Sequence, residues 1–240
     1  AINTQWWMHP HQKPEEPDTD CKINTREDFL EELEDAITEA NNRNILIIGH
    51  HPIVSNGMYG GRMPLRKHLF PFSDPNPANR VPLPLLGSFY AAYRQNIGTP
   101  RDMANPDYQA FKQRMSLLLK ENPPVIYAAA HDYNLQLNYS EENYHLVSGS
   151  FSQKDFVGKN AQSLVNMATP GFSELTYYRS GKVTSTFYTF TKTGLQELQT
   201  VTLFKSACGL NDGDKVPVNQ SFGPCLTRPN TEPDQTIPAQ

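Results

Sequence analysis

The chain has 240 residues, enough for one sizeable domain or two small ones, and a net charge of −4 with both signs interspersed. No broad basic face is available to hold a nucleic-acid backbone, so nucleic acid is not an expected partner. Hydrophobic residues make up 38% of the chain. The longest apolar run is far too short to cross a bilayer, and no transmembrane segment is expected.

The opening stretch, Ala1-Ile-Asn-Thr-Gln-Trp-Trp-Met8, has neither an initiator Met nor a leader pattern. It reads as the end of a strand already under way, in the later part of a longer polypeptide. Residues 9–24 are rich in Pro and acidic side chains and read as an exposed loop. Thr25 offers an N-cap with Asp28 as its capping-box partner, and the apolar spacing that follows predicts an amphipathic helix over about 26–41. Ile45–Ile48 is a short buried strand that runs into Gly49-His50-His51-Pro52.

Residues 52–106 concentrate Pro and Gly and are too long for a simple connection. They predict a structured excursion over the rim of a site, with a short helix at Leu83–Tyr93. Its scattered cations receive no substrate role, because such groups are usually just solvated. A second helix is expected over Asp107–Lys120, stopped by Pro123-Pro124. The strand Val125–Ala130 then leads into His131-Asp-Tyr133-Asn134-Leu135-Gln136.

Beyond it the pattern becomes all-β. Candidate strands are Leu135–Tyr139, Tyr144–Ser148, Phe172–Arg179, Lys182–Thr191 and Glu197–Lys205, with a hairpin turn at Ser180-Gly181. Residues 207–240 lack periodicity and read as a Pro-rich tail or linker, leaving 1–206 as the domain. Cys208 and Cys225 bracket a segment that a disulfide would staple, whereas Cys21 stands alone. Asn138-Tyr-Ser140 and Asn219-Gln-Ser221 match the glycosylation sequon.

Both His50 and His131 stand where a buried strand stops, and ligands of open α/β sheets gather at the carboxyl ends of strands. Imidazole is the commonest protein metal ligand, so a shared metal site is the sharp reading. The bland one is a pair of hydrogen-bonded loop histidines. His9, His11 and His145 carry no motif and take the bland reading, as does His68 in a basic helix-like stretch.

At these residues the chain resembles the calcineurin-like metallophosphoesterases, a group that includes the purple acid phosphatases. Gly49-His50-His51-Pro52 is similar to the family's Gly-His-x-Pro block. Ala130-His131-Asp-Tyr133, continuing Asn-Leu-Gln, is similar to its Gly-His-x-His block, and His145-Leu-Val-Ser-Gly149-Ser150 to the strand that follows. The likeness runs over roughly residues 1–190. Segments such as Lys67-His68-Leu-Phe-Pro71 also resemble a narrower bacterial branch whose members can precede an outer-membrane β-barrel.

The resemblance implies an α/β fold of the α+β four-layer kind, a β-sandwich flanked by helices, with the N-terminal half of that fold absent from this chain. It also implies two Fe, Mn, Zn or other divalent metal ions, which activate water for attack on phosphate esters. By motif position His50 and His131 are ligands of one metal, Tyr133 occupies a ligand position of the other, and His51 is a catalytic residue near the phosphate. The implied partners are the upstream half of the same fold and an outer-membrane β-barrel or other envelope protein, in an extracytoplasmic location.

Two departures count against activity in the isolated chain. Tyr133 stands where the family has a second histidine, and a neutral phenol ligates Zn or Mn poorly although phenolate binds ferric iron. The family's Asp-x-His, Gly-Asp and Gly-Asn-His blocks do not occur in residues 1–240. The expectation is therefore divided between an enzyme half completed by an upstream segment and a degenerate, non-catalytic scaffold module of a cell-envelope complex. A structural domain with coincidental histidines is the third reading.

Overall fold

The computed structural model describes residues 1–8, 22–40, 43–72, 80–122 and 124–205. The tail, Cys21, Cys208, Cys225, His9, His11 and Asn219 all lie outside these ranges. Five helices are described: α1 (Thr4–Met8), α2 (Arg26–Glu39), α3 (Leu65–Leu69), α4 (Pro84–Asn96) and α5 (Pro106–Glu121). The strands are β1 (Ile45–Ile48), β2 (Val125–Ala129), β3 (Leu135–Ser140), β4 (Asn143–Ser148), β5 (Ser163–Met167), β6 (Gly171–Tyr177), β7 (Val183–Thr191) and β8 (Gly194–Phe204). This is a mixed α and β fold with two sheets.

The larger sheet has the order β1-β2-β4-β3-β5, with β1, β2 and β4 parallel and β3 antiparallel to both neighbours. Strand β2 is apolar throughout because both of its faces are covered, as parallel strands require. Val125, Tyr127 and Ala129 join a core with α1, α2 and α5, while Ile126 joins a second core between the two sheets. The smaller sheet, β6-β7-β8, is antiparallel and supplies Val183, Phe187 and Leu203 to that second core. Helices contribute nothing to the second core, whereas α1, α2 and α5 pack on the other face of the larger sheet.

Helix α2 starts as its sequence dictates. The Thr25 side chain accepts from the Asp28 N–H, and Asp28 accepts from the Thr25 N–H, which closes the capping box. At the start of the chain the strand expectation gives way to a helix. Asn3 accepts from the Trp6 N–H as an N-cap, Trp6 stacks on Phe29, and Trp7 meets Phe29 and Phe111 edge-on. Ile2 bonds to the sheet edge, donating its N–H to Ile48. The Asn138 sequon is closed in the folded chain, because Asn138 is fully buried on β3.

Candidate metal centre

Register places the two histidine motifs side by side. Ile48 pairs with Ala128, and two further bonds continue the ladder: Gly49 N–H to Ala128 O at 3.0 Å and Ala130 N–H to His50 O at 3.1 Å. His50 and His131 therefore leave the same ends of adjacent parallel strands. At His131 the chain turns back sharply, with the Asp132 N–H on the Ala130 carbonyl and a φ of 65° at His131 itself. A non-glycine residue held in that left-handed region marks a position that the surrounding structure over-determines.

The ring contacts are specific. His131 Nδ1 lies 3.2 Å from His50 Nε2, and His131 Nε2 lies 2.8 Å from the Arg101 carbonyl. A carbonyl only accepts, so His131 carries its proton on Nε2 and turns a lone pair on Nδ1 toward His50. His51 is buried beside them, and the ligand atoms of the three histidines all lie within 4.8 Å of one another. Thr4 Oγ1 accepts from the backbone N–H groups of His50 and His51, which leaves its proton for His51 Nδ1 at 2.8 Å. Neutral His51 therefore carries its proton on Nε2.

Burial lowers the pKa of His50, helped by the nearby His131. Burial likewise lowers that of His131, opposed by its bond to Arg101. Both shifts favour the neutral imidazole that a metal needs. As a fit test, two ring nitrogens each about 2.1 Å from one ion at a near-tetrahedral angle stand about 3.2–3.4 Å apart. The His50–His131 contact has that spacing, and the outer nitrogen of His131 is already fixed by a backbone carbonyl, the usual support of a ligating histidine. These residues fit one ion.

The three rings line a cleft of about 760 Å³ together with Tyr59, Arg101, Tyr133 and Phe151. Tyr133 is 38% exposed and lines the same cleft as the three histidines. Among the described residues no carboxylate lines the cleft. The structure thus gathers His50, His51 and His131, and leaves Tyr133 on the wall. His68 lies on α3 and His145 is buried on β4, both away from the cluster.

Sequence reasoning missed the support beneath the cleft. Asp132 is fully buried and accepts from Ser55 Oγ at 2.5 Å and from the Tyr59 N–H at 3.3 Å. Burial pushes its carboxyl up to about 6. On β3 a ladder of buried amides holds the loop after His51: Gln136 accepts from the Asn56 N–H, and Asn138 accepts from the Asn56 side chain. Gln136 donates in turn to Ser55 Oγ and to Asn134. The Asn-x-Gln-x-Asn alternation from 134 to 138 on one strand face was the available signal.

Farther out, Arg94 and Asp102 form a buried ion pair, which Arg94 extends over the Tyr59 ring. Through Asp102 this pair positions the neighbouring Arg101 carbonyl that His131 holds.

No protein-family model and no curated protein matches this chain. Among solved structures it is similar to GAP50, the anchor in the inner membrane complex of Plasmodium, at 21% identity and a TM-score of 0.49. The match covers 84% of this chain, which spans about half, 47%, of that one.

Proposed function

We propose that this chain carries part of a metal-dependent phosphoesterase centre, as its likeness to calcineurin-like metallophosphoesterases implies. The observation that carries the proposal is the His50–His131 contact, 3.2 Å between ring nitrogens with the far nitrogen of His131 fixed on Arg101. His50 and His131 are the ligands, and His51 stands beside them with its proton on Nε2. His50 and His131 would hold the ion, which would supply Lewis-acid activation of water for phosphate-ester hydrolysis.

The chain's own groups do the rest. His51, its Nδ1 held by Thr4, offers an Nε2 proton to a phosphate oxygen. Arg101 on the cleft wall attracts the dianion. The carboxylate ligands of a two-metal centre come from another segment. The exposed edge of β1, with half-exposed Ile48 and an adjoining apolar cleft of about 480 Å³ beside Trp6 and Ile45, is where such a segment would add. An outer-membrane β-barrel or other envelope partner, in an extracytoplasmic setting, remains part of this reading.

The carboxylate-free cleft and the wall position of Tyr133 favour a second reading, a non-catalytic scaffold module. Titration calorimetry with Zn²⁺ and Mn²⁺ decides the first step: one equivalent bound by the chain and lost in His131→Ala supports the centre. No binding by the wild type would sink it. Turnover of an aryl phosphate after joining the upstream segment then separates enzyme from scaffold.

A further inference from the structure

Helices α3 and α4 form a hairpin with an inverted pattern. Leu83 N–H bonds to Leu69 O, and Gly87 brings the helices so close that an added Cβ would lie 2.2 Å from the His68 carbonyl. The inward stripe of α4 is Gly87, Ala91 and Arg94, two small residues and one ion-paired cation. Its large apolar residues look outward. Leu85 is 87% exposed, Phe89 73% and Ile97 60%, with Leu65 of α3 at 73%. A folded chain rarely leaves such a contiguous apolar face bare unless it is a contact surface.

The charge around this face is equally one-sided. Residues 52–106 hold six Lys and Arg against two carboxylates, Asp74 and Asp102. Their net charge is +4 on a chain whose total is −4, so the remaining residues carry −8. Asp102 is buried under Arg94, whereas Arg62, Arg66 and Arg80 are exposed.

We infer that the α3–α4 hairpin is a peripheral docking surface for an anionic phospholipid bilayer. Its apolar residues enter the headgroup boundary and the flanking arginines meet lipid phosphates. The exposed apolar side chains of α3 and α4, with arginines beside them, are the combination that an anionic headgroup boundary accepts. Tyr90 and Tyr93 add the amphipathic rings suited to that depth. No described helix is long and apolar enough to cross a membrane. This inference stands on residues separate from the metal centre.

Vesicle flotation with the full chain tests it. The wild type should float with phosphatidylcholine–phosphatidylglycerol vesicles and far less with phosphatidylcholine alone, and added salt should weaken the binding. Leu85→Ser combined with Phe89→Ser should lower affinity about tenfold or more. Arg66→Gln combined with Arg80→Gln should lower affinity and flatten the salt dependence. Both pairs are exposed, and circular dichroism checks that each variant folds.

Failure of the wild type to float, or equal flotation of all variants, would overturn the proposal. So would a self-associating chain that both double variants make monomeric while none binds vesicles, since a second copy would then cover the face. His131→Ala should float like the wild type, which separates this result from any failure of the metal centre.

Discussion

The imidazole of His131 holds the carbonyl of Arg101 at 2.8 Å, across a gap of thirty residues in sequence. That bond ties the 52–106 excursion to the histidine cluster. It also fixes which nitrogen of His131 faces His50.

Breaking the Arg94–Asp102 pair should disturb both stability and site. Arg94 is 8% exposed and Asp102 fully buried, so Arg94→Met leaves an unpaired carboxylate in the interior. Loss of one partner of a buried pair costs about 3–5 kcal/mol. Chemical denaturation should show a loss of that order, together with weaker metal binding in the folded variant. A denaturation midpoint close to wild type would refute the prediction.

Asp132 should give a pH-dependent stability of unusual sign. The folded chain keeps its proton up to about pH 6, against an ordinary value of 3.8. The folded state therefore binds more protons between these values, and stability contributed by this group falls as pH rises through the window. The loss is on the order of 3 kcal/mol. Asp132→Asn still accepts from Ser55 and Tyr59, so it should gain stability at neutral pH relative to wild type and little at pH 4. A difference between the two that is constant with pH would count against it.

His145 acts in the opposite direction. It is buried on β4 with Nδ1 unpartnered, and burial lowers its pKa from 6.5 to about 4. The unfolded chain binds the proton first, so stability is lost as pH falls through that window, by an amount on the order of 3 kcal/mol. His145→Leu should flatten this acid limb, leaving the smaller contributions of His50 and His131. An unchanged acid limb would exclude His145 as its source.

Gly57 faces Asp132 so closely that an added Cβ would lie 2.4 Å from one carboxylate oxygen and 2.8 Å from the other. Asp132 is buried and cannot swing to water. Gly57→Ala should cost about 1–3 kcal/mol, the usual penalty of overpacking. Thermal unfolding measures it, and a melting temperature equal to wild type would show that the loop moves freely.

Elements with strong periodicity were legible in the sequence. The capped helix α2, strands β1 and β2 and the β6–β7 hairpin lie within a few residues of their expected ranges. Strand β5 was missed because Ser163-Leu-Val-Asn-Met167 sits at a sheet edge with only one fully buried residue. Helix α1 was missed because its stability comes from Phe29 and Phe111, both distant in sequence. His50 and His131 could be named from the strands that deliver them. The place of His51 in the cluster, and the service of Thr4 and Arg101, depend on contacts that periodicity does not encode.

The amide ladder of Asn56, Gln136 and Asn138 has a consequence for life in acid. Amides do not titrate, so the clamp on the loop behind His51 has no proton to gain, and protonated Asp132 still receives the Tyr59 N–H. Mild acid that charges His50 and His131 would strip an ion from the cleft and leave its frame standing. Restoring neutral pH would then be enough to reload it, without refolding.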